Sequence, residues 1–297
     1  MLVSEFLNAL ETVVPLTAVG YARDAVGLQV GLPNGTELKA ALFAYEVTDN
    51  VISEARKRGA NVIVAFHPLI FPSIDAVTDR TRTGHFIQQL IKNDIALYVQ
   101  HTAFDTQPEF GTSILMAEAL KLDNISTLTR INAIVQPTLN GLHFGMGAIG
   151  TWPKSKKRED VLSVVAETFH SSCVSYNAIA PGKIKTVAML GGAGMEYYEQ
   201  ARTLGADAFI TADIRYHDFH RADHDKILLI DAGHAETERF VAKGMVNAAR
   251  KSLKSNEALL NAVNLHGFDT RRLLLLSHSE PNAVQYYCLR NNRSRTW

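Results

Sequence analysis

His234 and Glu238 stand four residues apart in Asp231-Ala232-Gly233-His234-Ala235-Glu236-Thr237-Glu238. An imidazole and a carboxylate at that spacing share one face of a helix and can grip one divalent cation. The stretch follows the apolar run Lys226-Ile227-Leu228-Leu229-Ile230, which reads as a buried strand. It leads into a helical pattern from about Thr237, with Phe240, Val241, Met245 and Val246 on one side. The same residues also suit an ordinary helix N-terminus, where Thr237 or Glu238 satisfies free backbone N–H groups. Taken alone, the stretch favours neither reading.

A second copy shifts the balance. Ile95-Ala96-Leu97-Tyr98-Val99 reads as a strand and runs into Gln100-His101-Thr102-Ala103-Phe104-Asp105, where a histidine is again followed four residues later by an acid. Upstream, Glu54-Ala55-Arg56-Lys57-Arg58-Gly59-Ala60-Asn61 matches Gln200-Ala201-Arg202-Thr203-Leu204-Gly205-Ala206-Asp207. Each match is followed by a strand, and eight residues past the paired glycines stand His67 and Asp213. Each half therefore offers strand, helix, strand, polar residue, helix, strand and His-x-x-x-acid. Two such motifs at equivalent points of a repeated unit point to one site built by both halves. The fold expected is an internally duplicated, mixed α/β fold with the site between two similar halves, residues 1–127 and 128–297.

The elements that must position these residues are legible in outline. Val3, Phe6, Leu7 and Leu10 have helical spacing, which Pro15 closes. Ala40 to Tyr45 and Val62 to Phe66 read as strands on either side of a helix capped by Thr48 or Asp49 and ended by Gly59. His67 then falls at the carboxyl end of its strand, where open α/β sheets place their sites. A structural histidine in a strand-ending turn is the alternative. Gly84 to Asn93 reads as a helix with Phe86, Leu90 and Ile91 inward, and residues 111–121 as another. From Asp123 to about Pro153 the pattern alternates, as at Ile131, Ala133 and Val135, and is rich in glycine. Arg158 to Phe169 is helical, Lys185 to Leu190 a strand, and Arg272 to Leu276 the last strand, with a polar tail after Tyr287.

Other residues have chemical readings of lower specificity. Gly191-Gly192-Ala193-Gly194 after a strand could cradle phosphate, although a tight turn suffices. Asp24 reads as a turn residue, with support of the site as the alternative. Asp213 and His217 are four apart, and a role in proton transfer or substrate contact is expected of both. His220 and His224 extend that stripe on a helix, with His224 facing solvent.

The chain has 297 residues, 46% of them hydrophobic, and 30 acids against 30 bases. That is enough to bury one large or two ordinary domains, and it offers no basic face for nucleic acid. Lys154-Ser155-Lys156-Lys157-Arg158 is expected to be a solvated loop. Cys173 and Cys288 supply neither a disulfide framework nor metal spacing, which suits a reducing cytoplasm. No apolar run reaches membrane length and residues 1–30 lack a signal-peptide layout.

The motifs together resemble the NIF-three-like family, whose members are often called GTP cyclohydrolase 1 type 2 homologues. The matching pieces are Asp24-x-x-Gly27-Leu28-Gln29-Val30-Gly31, His67-Pro68-Leu69-Ile70-Phe71, His101-Thr102-Ala103-Phe104-Asp105, Asp207 to His217, and Gly233-His234-x-x-x-Glu238. The resemblance implies a duplicated α/β fold, a two-metal centre between the halves and a ring-shaped homo-oligomer, often a hexamer. It implies metal ligation by His67, Asp105, His234 and Glu238, with Glu238 bridging and His101 close to the metals. Many bacterial members have a second histidine where this chain has Phe66. A phenyl ring cannot ligate, so one metal position loses a donor and one or two ions per chain are expected.

A nitrogen and oxygen donor set without cysteine suits Zn²⁺, Fe²⁺ or Mn²⁺. The function expected is a metal-dependent hydrolase acting on a small-molecule, nucleotide-like substrate, with Glu238 positioning water. The rival is a non-catalytic metal-binding protein of regulatory or assembly type.

Overall fold

The computed structural model describes residues 1–131, 138–139, 141–255, 273–279 and 284. The alternation at Ala133 and Val135, Arg272 of the last expected strand and the tail after Tyr287 lie outside the described residues. The helices are α1 (Val3–Glu11), α2 (Asp49–Lys57), α3 (Arg82–Lys92), α4 (His101–Asp105), α5 (Thr112–Ala119), α6 (Arg158–Phe169), α7 (Tyr198–Thr203), α8 (Tyr216–Asp225), α9 (His234–Thr237) and α10 (Val241–Ser255). No helix among the described residues is long and apolar enough to cross a membrane.

One sheet has the order β1 (Gly27–Val30), β4 (Ala96–Val99), β3 (Val62–Ala65), β2 (Ala41–Ala44), β13 (Leu274–Leu276). Its strands are parallel except β1. The other has the order β5 (Asp123–Arg130), β8 (Gly145–Lys156), β10 (Ile184–Ala193), β11 (Ala208–Ala212), β12 (Leu228–Asp231), β9 (Ser175–Tyr176). There β10, β11 and β12 are parallel and their neighbours antiparallel. A small ribbon pairs β6 (Thr138–Leu139) with β7 (Leu142–His143). Strands β2, β3 and β4 are buried at every position. That is why they read as unbroken apolar runs: both faces of a parallel sheet are covered.

The repetition read in the sequence is a repetition of topology. The paths β2–α2–β3–α3–β4 and β10–α7–β11–α8–β12 lay strands down in the same order. In each half a short antiparallel strand, β1 or β9, flanks the last of the three. Gly59 and Gly205 end the equivalent helices.

The halves exchange a helix. After the first His-x-x-x-acid motif, α5 sends Ile114, Met116 and Ala117 into the core of the second sheet, against Val187, Met189 and Ile210. After the second motif, α10 sends Val241, Met245, Ala249 and Leu253 into the core of the first, against Phe43, Val64 and Tyr98. Strand β13 then completes the first sheet beside β2. A split at residue 127 would cut β5 and part β13 from its sheet.

Three local expectations are corrected. Ile91 is 60% exposed and Ile87 takes the inward place, because the buried face of α3 is carried by Phe86, Ile87 and Leu90. Strand β10 runs on through Gly191 and Gly192 to Ala193, so these glycines are not a turn. The basic cluster 154–158 is the end of β8 and the start of α6, not a loop.

Thr48 caps α2, its side chain accepting from Val51 N at 3.2 Å. On the same helix Glu54 ties down the segment after β13, accepting from Ser277 Oγ at 2.9 Å and His278 N at 3.1 Å. Burial pushes its carboxyl up, but hydrogen bonds from Ser279, Arg58, His278 and Ser277 outweigh that and hold it down at about 2. A carboxyl lowered on folding contributes stability that is complete above its unfolded value, about 4.5, and is lost as pH falls toward about 2. Glu54→Gln should therefore cost about 1 kcal/mol at neutral pH. The difference from wild type should shrink near pH 3. Urea unfolding at both pH values tests this, and an equal cost at both would exclude a role for the charge.

Candidate metal centre

The parallel strands of both sheets end toward one place, and the polar residues that follow them meet there. Tyr45 and Glu46 follow β2, His67 lies just beyond β3, and His101 opens α4 beyond β4. From the second half, Asp213 follows β11 and His234 opens α9 beyond β12. Gly233, with φ 89°, makes the corner between β12 and α9. Its N–H donates to Asp231 Oδ1 at 3.1 Å, and the other oxygen of that carboxylate accepts from Ile214 N.

His67, His234 and Glu238 each bring a ligand atom within 4.8 Å of the others. His67 Nε2 lies 3.5 Å and His234 Nε2 3.2 Å from Glu238 Oε2. The His67 ring is centred 5.7 Å from both the His101 and the His234 ring. On its far side each imidazole is held through Nδ1 by a separate carboxylate. The pairs are His67 with Glu46 at 3.2 Å, His101 with Asp24 at 2.7 Å and His234 with Asp213 at 2.6 Å. An acid on Nδ1 fixes the ring and leaves Nε2 as the donor, which is how ligating histidines are commonly oriented.

The remaining groups complete this support. Glu238 is buried, and the Tyr45 hydroxyl donates to its Oε2 at 2.8 Å. Glu46 also takes Arg82 Nη2 at 2.6 Å. Asp24 accepts from Thr102 Oγ1 and Thr102 N as well as from His101. Asp105 is outside the close trio but senses it. Its carboxylate accepts the Thr112 hydroxyl, and burial with the charge of Glu238 pushes its carboxyl up to about 7.

Burial pulls the His234 imidazolium down, but Glu238 and Asp213 outweigh it and hold the ring at about 9. His101 is likewise raised, burial being outweighed by Asp24. These positions favour positive charge. Imidazole nitrogens and carboxylate oxygens without sulfur form a donor set that a borderline divalent cation fits.

Gly191 and Gly192 close the floor. Gly191 N donates to Ser113 Oγ and Gly192 N to Thr237 Oγ1, so neither N–H is left for a phosphate. A β-carbon on Gly192 would stand 2.4 Å from Glu238 Oε1 and 3.0 Å from His234 Nε2, on a backbone with φ +68°. The glycines are there for close approach. Gly192→Ala should displace Glu238 and lower metal affinity on the order of 10-fold or more. Metal titration of the folded variant tests this, and wild-type affinity would show that the floor has room.

The sequence reading and the site agree in part. His67, His101, Asp105, His234 and Glu238 are assembled from both halves. Asp213 is at the site as the partner of His234 Nδ1. His217 is not: it is exposed, packs beside the Tyr216 and His220 rings and does not line the cleft over the metal centre. Asp24, expected in a turn, is a buried carboxylate with 2% of its side chain exposed. Tyr45 and Glu46 were not singled out. The rule that points to His67, a polar residue just past a parallel strand, would have found both at the end of β2.

The sequence profile of the Duf34/NIF3 (NGG1p interacting factor 3) family matches residues 1–266. A Streptomyces coelicolor protein named GTP cyclohydrolase 1 type 2 homolog is 32% identical over 238 residues, covering 79% of this chain and 81% of that one. A Clostridium acetobutylicum protein of the same name is 29% identical over 236 residues, 80% of this chain and 85% of the relative. Among solved structures, a Bacillus cereus protein related to NIF3 superposes with a TM-score of 0.79 at 23% identity. It covers 96% of this chain and 98% of its own. With the duplicated topology and its shared centre in place, the chain belongs to the Duf34/NIF3 family.

Proposed function

We propose that the chain is a metal-dependent hydrolase, with the cation held by His67, His234 and Glu238 and with His101 and Asp105 beside them. The observation that carries this is the convergence of His67 Nε2 and His234 Nε2 on one buried carboxylate, each ring fixed from behind by its own acid. The shared name of the curated relatives supports a nucleotide-like substrate. When bound, a divalent cation supplies Lewis acidity and lowers the pKa of water toward about 7. Glu46 and Asp213 hold the histidine tautomers that present Nε2. Tyr45 orients Glu238. The cleft above, about 900 Å³, is walled on one side by Phe169 and Ala242, which exclude water from part of the bound substrate.

Titration of Zn²⁺, Mn²⁺ and Fe²⁺ into the purified chain, with an assay of guanosine nucleotide hydrolysis, tests the proposal. Bound metal and turnover, both lost in His234→Ala, are expected. Failure to retain metal, or equal turnover in the variant, would reject it.

One feature supports a non-catalytic metal-binding role instead. Phe66 is fully buried against Tyr45, His67, His101 and Phe104 where the resemblance places a further ligand. Metal retention without turnover on any nucleotide would select that role.

A further inference from the structure

Arg239 and His170 line the cleft and take no part in the metal centre. Arg239 directly follows the ligand Glu238. Its Nη1 donates to the carbonyl of Phe169 at 2.8 Å, and its guanidinium carbon lies 5.9 Å from the centre of the Phe240 ring. Among the described residues no carboxylate pairs with it, and Nε and Nη2 make no hydrogen bond. The residue after Phe169 is His170, the C-cap of α6, with φ 55° and ψ 36°. A left-handed backbone is unfavourable for a residue with a β-carbon, and glycine or asparagine usually stands there. Here the position puts an imidazole into the cleft wall, beside the carbonyl that anchors Arg239.

Both residues line the same cleft as His67, His234 and Glu238. Of the acids in that cleft, Glu46, Asp213 and Glu238 are each committed to a histidine. Glu236 is the further one, and it lies on the short helix between His234 and Arg239. The guanidinium and the imidazole left over thus line the same cleft as the candidate ligands. Phe169 and Tyr45 add apolar surface to that lining.

We propose that Arg239 and His170 form an anion subsite that holds the phosphomonoester group of the substrate while its reacting end faces His67, His234 and Glu238. The proposal rests on the hydrolase reading above and gives it a substrate class. A phosphate fits better than a carboxylate. The guanidinium fork occupies two oxygens, and a tetrahedral dianion keeps a third for the imidazole. The cleft volume also exceeds what a small carboxylic acid would fill.

The test is calorimetric binding of GMP and ribose 5-phosphate, with guanosine and ribose as controls, to the chain before and after metal loading. Two variants preserve the local structure. Arg239→Gln keeps a donor for the Phe169 carbonyl, and His170→Asn keeps a residue that tolerates the left-handed cap. Metal-free wild type is expected to bind the phosphorylated compounds and not their parents. Arg239→Gln should weaken binding about 10-fold or more and His170→Asn several-fold, with metal content unchanged. Tighter binding of GMP than of ribose 5-phosphate assigns the phosphate to a nucleotide, and equal binding to a sugar phosphate. The subsite is overturned if both variants bind as wild type does. It is also overturned if phosphate affinity arises only after metal loading and ignores both substitutions. Loss of metal loading with the anion affinities intact would remove the hydrolase reading and leave the subsite standing.

Discussion

Under the metal site proposed above, Glu238→Gln is expected to abolish metal retention. The glutamine has the shape of the glutamate and its oxygen can still accept from the Tyr45 hydroxyl, now 2.8 Å from Oε2. What disappears is the one negative charge that both His67 Nε2 and His234 Nε2 face, at 3.5 and 3.2 Å. Removing an acid that merely orients a ligand costs about 10–100-fold in affinity, so losing the shared ligand itself should cost on the order of 100-fold or more. Metal analysis after dialysis, and titration of the chelated protein, measure it. If the glutamine variant keeps the wild-type stoichiometry and affinity, Glu238 is not a ligand and the centre lies elsewhere. Under the proposed hydrolase, turnover should vanish with the metal.

Asp24→Ala should produce the largest loss of folding stability. The carboxylate is buried, and it serves His101 Nδ1, Thr102 N and Thr102 Oγ1 together. Burial alone would raise its pKa, yet the hydrogen bonds from His101 and Thr102 hold it below the usual carboxylate range. Truncation leaves a raised imidazole without its counter-charge and a backbone N–H without an acceptor. Breaking such a buried pair by removing one partner costs about 3–5 kcal/mol. Chemical denaturation of the metal-free protein isolates that cost from any change in metal binding. An unshifted unfolding midpoint would mean that the interactions around Asp24 contribute nothing net.

How much of this was legible before folding depends on how far apart the partners lie. His234 and Glu238 are four residues apart and the start of α9 sets their geometry, so local sequence sufficed to put them side by side, although the choice of ligands over a plain helix start needed the second copy. The repeat was legible because β2–α2–β3–α3–β4 and β10–α7–β11–α8–β12 each keep their helix-ending glycine and the polar residue eight positions later. The pairing of acids with particular histidines was not. Asp24 is 77 residues from His101, and Asp213 is 21 from His234. Only the meeting of strands from different parts of a sheet brings them together. Asp24 does close a turn, its N–H donating to Tyr21 O, but sequence alone did not show that its carboxylate also reaches His101. His217 lies apart from the cleft lining for the opposite reason. Its spacing from Asp213 was attractive, but α8 turns that face outward, where Tyr216 is 72% exposed. Gly191 and Gly192 had a phosphate-loop look in sequence, yet their purpose is to let Glu238 and His234 lie against bare backbone.

The exchange of α5 and α10 between the sheets bears on how anything reaches the centre. Each of these helices is apolar where it meets the opposite half. Swinging the halves apart like a clamshell would strip that interlocked surface and expose it to water, and packed cores resist such deformation. Among the described residues, ligand therefore reaches the centre through the cleft lined by Arg82, Arg239 and Ala242, not by a hinged parting of the halves.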